Sequence, residues 1–449
     1  MTRLERNKLF RQRNTRRKQG FIFKILGSLI CWMLLFEFFQ PVISSPSIPN
    51  PHSAECTGKK VRLVWEAVPD AVMYQLVVMN KPESMNDKTH FESVTLLKEV
   101  YNPGVELDTT LFTGQGSIWW QVRALNLDRE PISRFTDPKK LEEGEFDPVS
   151  PFITTHLDKL ARVPLYPAYS WIPVLNADSY EVQILSGPVQ SSTNSLPGNL
   201  KKSYIIKGAD SFDCYDVDAF TEEGVYWWRV IALDAKGQPI GQWSKPQPFT
   251  VSREGNIIAA LGDSVTHGGG AISNPPGIPA YDWTSYAGFS IKNLGRSGDT
   301  TGSMLARFDH NVIPFQPKVL VVMGGLNDIR AGTRAVEVIN HLTKIKEKCQ
   351  ENKIIPVFLT LTPVNPINIK RVFNEDTSPN WQEEWYKVNK WVREQTYYVD
   401  IAPMLMDNDG VMPTEFATDG LHPDTKGKAL IGYAVGDYLR KNFGDVINK

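Results

Sequence analysis

Between residues 58 and 252, apolar and polar residues alternate over short segments, and Pro, Gly, Asn and Asp interrupt the alternation. A period of two is the pattern of antiparallel strands with one face buried and the other in water. From residue 254 the pattern changes. Short apolar runs at 256–261, 289–294, 318–324, 353–361 and 397–401 alternate with stretches of helical period such as 333–351 and 381–395. Buried strands joined by helices call for a parallel sheet with right-handed crossovers. Such sheets bind ligands beyond the carboxyl ends of their strands. A third pattern occupies the N-terminus, where residues 21–39 are almost continuously apolar, with Lys24 and Glu37 near the two ends.

The alternating region contains an internal repeat. Trp65 is followed nine residues later by Tyr74, and Trp171 nine residues later by Tyr180. The stretch Trp119-Trp120-Gln121-Val122-Arg123-Ala124-Leu125-Asn126 returns 108 positions on as Trp227-Trp228-Arg229-Val230-Ile231-Ala232-Leu233-Asp234. Pro131, Ile132 and Phe135 return as Pro239, Ile240 and Trp243 at the same separation. Two copies of about 100 residues, each with several short strands and fixed Trp and Tyr positions, predict two β-sandwiches in tandem. Tryptophans at fixed places in a repeat are expected in the core, although a sugar-stacking platform is the other use of such residues. The pair resembles fibronectin type III domains in pattern, and its expected role is a spacer, with glycan or protein binding as the alternative.

The apolar span at 21–39 is about as long as one bilayer crossing, which takes roughly 20 residues. Eight Lys and Arg precede it in the first twenty residues against the single Glu5, so the N-terminus is expected to stay in the cytoplasm. A cleaved signal peptide is the competing reading, with Val42-Ile43-Ser44 as a tolerable cleavage site. Both readings export the rest of the chain. The expected plan is a basic arm at 1–20, a transmembrane signal-anchor at 21–39, a Pro- and Ser-rich linker at 40–57, sandwiches at 58–154 and 155–252, and an α/β domain at 253–449.

Over 449 residues the net charge is -1, which gives no reason to expect nucleic acid as a partner. Of the four cysteines, Cys31 lies in the apolar span, and Cys56, Cys214 and Cys349 are far apart. A Cys56–Cys214 bridge is permitted in an oxidising compartment, but the spacing does not demand it. No cluster of His, Cys or carboxylates proposes a metal. The run Gly268-Gly269-Gly270 lacks the Lys and Ser/Thr of a phosphate loop. No cofactor or metal is therefore expected.

Four polar blocks stand in the α/β region: Gly262-Asp263-Ser264 after the first apolar run, Asn293 to Thr300, Gly324 to Asp328, and Asp419-Gly420-Leu421-His422-Pro423. A serine hydroxyl needs a neighbouring base to act as a nucleophile. His422 is the candidate base, and Asp419, three residues earlier, could orient it. Acyl transfer also needs donors for a developing oxyanion. The backbone N–H of Ser264, that of Gly295 or Gly298, and the side-chain amide of Asn327 are the candidates. Asp263 and Asp328 are expected to stabilise loops. His267, on the first helical turn after Ser264, is expected at a pocket rim or in solvent. The segments 268–286 and 362–380 are long enough to wall a pocket.

These four blocks, in this order, resemble the SGNH (GDSL) hydrolase family, and Ser297-Gly298-Asp299-Thr300 is most similar to the branch that contains bacterial lysophospholipases and thioesterases. The resemblance spans roughly residues 254–445. It implies a flavodoxin-like parallel sheet flanked by helices, a Ser264–His422–Asp419 triad, and an oxyanion hole of Ser264, Gly298 and Asn327. The expected activity is an extracytoplasmic serine esterase on acyl esters, with acetyl groups on a carbohydrate preferred. A lysophospholipase/thioesterase-like lipid esterase, an acyltransferase on the same triad and a surface binding protein that keeps the fold as scaffold are the alternatives.

Overall fold

The computed structural model describes residues 48–57, 60–81, 92–112, 117–141, 150–189 and 197–447. The basic arm, the apolar span at 21–39 and the linker up to residue 47 lie outside these residues, and so do the anchor and signal-peptide readings. Among the described residues, no helix is long and apolar enough to cross a membrane.

Strands β1 (Pro51–Thr57), β2 (Lys60–Trp65), β3 (Met73–Lys81), β4 (Glu92–Val100), β5 (Gly104–Asp108), β6 (Ser117–Leu125) and β7 (Lys139–Lys140) form two antiparallel sheets, ordered β1-β2-β5 and β4-β3-β6-β7. Strand β1 falls within the stretch expected to be linker. Its backbone pairs with β2 from Pro51 opposite Trp65 to Thr57 opposite Lys60. As an edge strand it tolerates a proline at its first position. The inward residues Val61, Leu63 and Trp65 of β2, Leu76 and Val78 of β3, and Trp120 and Val122 of β6 share one apolar core.

The second copy repeats this plan. Strands β8 (Phe152–Ile153), β9 (Ala168–Ile172), β10 (Ser179–Leu185), β11 (Leu200–Lys207), β12 (Asp213–Tyr215), β13 (Gly224–Leu233), β14 (Pro239–Ile240) and β15 (Gln247–Val251) give sheets β12-β9-β8 and β11-β10-β13-β14, with β15 also on β13. The sequence repeat is a repeat of contacts. The rings of Trp65 and Tyr74 lie 5.3 Å apart, and those of Trp171 and Tyr180 5.2 Å apart. Each tyrosine hydroxyl accepts from a backbone N–H six residues upstream, Val68 or Val174, at 2.9 Å. Arg123 lies over Phe135 at 4.4 Å, and Arg229 over Trp243 at 4.0 Å. Trp65, Trp120, Trp171 and Trp228 are buried, so the tryptophans pack the cores. Cys214 is a buried free thiol, as is Cys349, and the side chain of Cys56 lies outside the described residues.

Beyond residue 256 the apolar runs become β16 (Ile258–Gly262), β17 (Lys292–Asn293), β18 (Val319–Met323), β19 (Ile355–Leu359) and β20 (Tyr398–Val399). They form one parallel sheet ordered β17-β16-β18-β19-β20. Between them run α1 (Ser264–His267), α2 (Thr301–Ala306), α3 (Phe308–Asn311), α4 (Leu326–Arg330), α5 (Ala335–Glu351), α6 (Pro366–Phe373) and α7 (Trp381–Arg393), and α8 (Thr425–Ile447) follows β20. Helix α5 shows why they cover the sheet: Ala335, Val338, Leu342, Ile345 and Cys349, spaced three or four apart, make one buried stripe. The chain leaves β16 to one side and returns to β18 on the other, so the topological switch lies between these two strands.

The second sandwich is built into the α/β domain. Leu165 and Tyr166, on the connection between β8 and β9, belong to the α/β core. The buried Lys292 ammonium donates to the Val163 carbonyl at 2.8 Å, and the Tyr166 hydroxyl to Asn311 at 2.6 Å. The first sandwich reaches the same domain through Asp70. Its carboxylate accepts from the Thr425 N–H at 3.0 Å and the Thr425 hydroxyl at 2.8 Å, capping α8 from outside.

Candidate active site

Ser264 stands two residues past Gly262, the last residue of β16, as the first residue of α1. Gly262 is required by close approach, since a Cβ there would fall 2.6 Å from the Met323 carbonyl oxygen of β18. Asp263 caps α1, accepting from the Val265 N–H at 3.0 Å, and burial raises its carboxyl to about 6. The cap and the strand end together leave the Ser264 side chain at the switch point.

Asp419 and His422 reach the same place from the turn before α8. Asp419 Oδ1 accepts from the backbone N–H groups of Leu421 and His422, both at 2.8 Å, and Oδ2 lies 2.8 Å from His422 Nδ1. Burial alone would raise the Asp419 carboxyl. The adjacent imidazole and these hydrogen bonds outweigh it, and the pKa is held below the usual carboxylate value. An ionised carboxylate only accepts, so Nδ1 carries the proton and Nε2 is left to accept. Ser264 Oγ lies 2.9 Å from that Nε2 and donates to it. Aspartate, imidazole and hydroxyl thus form one hydrogen-bonded chain.

The second and third blocks close around this chain. Gly298, with φ of 82°, sits in a turn that disfavours a side chain, and a Cβ there would meet nothing within 4 Å. Gly295 packs instead against the backbone of Thr266 and His267. Asn327 Nδ2 donates to the Asp299 carbonyl at 2.9 Å and has a second N–H to offer. Asp328 accepts from the Thr301 N–H at 2.9 Å and the Thr301 hydroxyl at 2.8 Å, tying the third block to the start of α2, just after the second.

Sequence reasoning missed Arg307. Its buried guanidinium bonds Asp299 at 2.5 Å and the Gly262 carbonyl at 3.1 Å, joining the second block to the strand end that carries Ser264. A lone arginine in an amphipathic stretch carries no signal for this role.

His267 differs from expectation. It is 2% exposed, neither on a rim nor in solvent. Nε2 faces the Tyr166 carbonyl at 2.6 Å, and a carbonyl only accepts, so this nitrogen carries the proton. Nδ1 then accepts from the Ser297 N–H at 3.2 Å and faces the Ser297 hydroxyl at 2.9 Å. Burial and the nearby Arg307, Lys428 and Arg296 outweigh the Tyr166 bond and lower the ring's pKa to about 4. The reason lies in the tertiary structure, because the second sandwich covers the side of α1 that would otherwise face water.

Ser264 and His422 open into a cavity of about 340 Å³. Gly298 and Asn327 line it, as do Gly268, Gly269, Gly270 and Asn274 from one expected wall and Phe373 and Glu375 from the other. Leu421, Ser297, Arg330 and Tyr215 complete it, the last from the second sandwich.

Residues 260–430 match the model of the GDSL-like lipase/acylhydrolase family, a segment that holds all five sequence-predicted site residues. The α/β domain is thus similar to the GDSL/SGNH class, whose members are ester hydrolases. Over 215 residues the chain is 26% identical to thioesterase 1/protease 1/lysophospholipase L1 of Escherichia coli K12, covering 46% of this chain and 95% of that one. Among solved structures, a lipolytic protein of the G-D-S-L family from Desulfitobacterium hafniense is 22% identical with a TM-score of 0.34, covering 41% of this chain and 99% of that one. An acetyl-xylooligosaccharide esterase from Geobacillus is 19% identical with a TM-score of 0.31, covering 42% and 94%.

Proposed function

We propose that this protein is an extracytoplasmic serine esterase that removes short acyl groups, acetyl foremost, from a carbohydrate or similar hydroxyl-rich substrate. The observation that carries this reading is the Asp419–His422–Ser264 hydrogen-bonded chain opening on a small cavity whose walls mix polar side chains and glycines with Tyr215, Phe373 and Leu421. Ser264 Oγ attacks the ester carbonyl while His422 Nε2 takes its proton. The N–H groups of Ser264 and Gly298 and the free N–H of Asn327 face the oxyanion, where a single donor is worth roughly 2.7–4 kcal/mol. His422 protonates the leaving alcohol and then activates the water that releases the acid. Asp419 holds the imidazole tautomer and stabilises the imidazolium.

The apolar span at 21–39 acts as a signal-anchor, with the two fibronectin type III-like sandwiches and the hydrolase domain outside the membrane. Lysophospholipid or thioester cleavage is the second reading, favoured by the names of the curated relative. Hydrolysis of esters from acetyl to long fatty acyl, with Ser264→Ala in parallel, tests both. A profile that peaks at acetyl and vanishes in the variant supports the first. A peak at long chains supports the second. Rapid transfer to a sugar acceptor without hydrolysis defeats both in favour of an acyltransferase.

A further inference from the structure

We infer that the second sandwich supplies part of the substrate site: Tyr215 is an aromatic platform for a sugar ring, facing a cavity that Arg330 and Glu375 also line. This rests on the proposed esterase reading and names the part of the substrate that the reading leaves open, the alcohol side of the ester.

Tyr215 ends β12, yet its side chain lines the same cavity as Ser264 and His422. It is 39% exposed. Its position is set from both sides. The ring meets His267 edge-on at 6.0 Å. The following residue, Asp216, accepts from Tyr169 at 3.0 Å, from Tyr204 at 2.8 Å and from Lys202 at 2.8 Å. The docking of Tyr166 and Val163 on the α/β domain then sets the platform relative to Ser264. A rigid, half-open aromatic ring loses little entropy when it binds, and it suits the C–H face of a sugar.

Arg330 and Glu375 add the hydroxyl recognition. A terminal guanidinium nitrogen bonds Glu375 at 2.8 Å, while Arg330 Nε is buried with no hydrogen-bond partner. A buried donor left without an acceptor is costly, and the ion pair with Glu375 is what keeps the guanidinium at the cavity wall. The Glu375 side chain, 62% exposed, is free to accept from a hydroxyl. The lining sets the carbon-rich side chains of Tyr215, Phe373 and Leu421 beside glycines and polar residues, a mixture that suits a ring with a C–H face and hydroxyl edges.

The test compares the full-length protein with Tyr215→Ala, Tyr215→Phe and Glu375→Gln on O-acetylated oligosaccharides of xylose, glucose and N-acetylglucosamine, and on ethyl acetate, which has no ring to stack. Tyr215→Ala is expected to lower kcat/KM on the best oligosaccharide at least tenfold more than on ethyl acetate, chiefly through KM. Tyr215→Phe should recover most of this, and Glu375→Gln should fall between. Binding of the unacetylated oligosaccharide to Ser264→Ala, read by titration calorimetry, should be lost when Tyr215→Ala is added. Equal losses on both esters would reduce Tyr215 to a structural role and overturn the inference. So would hydrolysis of ethyl acetate with neither turnover nor binding of any oligosaccharide, which leaves the serine mechanism standing. Oligosaccharide binding that requires Tyr215, without hydrolysis of any ester, would keep the platform and overturn the esterase reading.

Discussion

Lowering the pH from 7 to 4.5 should destabilise this protein through His267, and replacing that residue by glutamine should remove the effect. The buried ring is neutral, with Nε2–H on the Tyr166 carbonyl and Nδ1 accepting from Ser297. Its pKa is lowered from 6.5 to about 4. Stability tied to the neutral ring is therefore fully present above pH 6.5. It declines as the unfolded chain takes up a proton that the folded ring refuses, and the decline stops near pH 4, where the folded ring also protonates. The gap of about 2.5 units, at about 1.36 kcal/mol each, amounts to about 3 kcal/mol. Asp263 and Asp213, each raised to about 6 by burial, and Asp424, raised to about 7 by burial, act in the opposite sense over much of the same range. The wild-type curve alone therefore does not isolate the effect, and the difference between wild type and His267→Gln does. At pH 7 the variant should be less stable by about 1–2 kcal/mol, the worth of the lost hydrogen bonds. By pH 4.5 it should match or exceed the wild type. Urea unfolding of the full chain, followed by tryptophan fluorescence at half-unit pH steps, measures that difference. A gap that stays constant from pH 7 to 4.5 would refute the reasoning.

Asp419→Asn should lower kcat on any hydrolysed ester by about 10³–10⁴-fold with little change in KM, because the amide no longer selects the Nδ1–H tautomer; steady-state kinetics would detect it. Asp70→Ala should cost about 1 kcal/mol in thermal or urea unfolding, the usual loss on removing a helix cap, since Asp70 caps α8 through Thr425. Gly298→Ala should cost about 1 kcal/mol, because φ is 82° although no atom obstructs the methyl group. Its kcat should fall further than that cost implies if the Gly298 N–H serves the oxyanion.

Much of the site could be read from the residues because the chemistry is carried by short blocks that follow strands. Ser264, Gly298 and Asn327 each lie just past β16, β17 or β18, and any parallel sheet brings such positions to one edge. Asp419 and His422 are three apart, so one turn presents both. The structure joins Ser264, His422 and Asp419 in one hydrogen-bonded chain, with Gly298 and Asn327 on the same cavity. The repeated tryptophans were legible as core for a similar reason, since an alternating strand allows only one face inward.

What could not be read depends on neighbours distant in the chain. His267 was expected near solvent, because a residue on a short helix carries no mark of what covers it. Tyr166, 101 positions away, removes it from water. Arg307 shows no local pattern, yet it joins Asp299 to the carbonyl of Gly262. Tyr215 lies by sequence in the second β-sandwich and lines the cavity of the α/β domain only because Leu165 and Tyr166 are buried in the α/β core. Local pattern, by itself, determined most strands, the helices and the candidate site residues, because backbone period and turn chemistry act over a few residues. Burial, protonation and the cavity's walls were decided by tertiary packing, because solvent exclusion depends on every element that meets at a point.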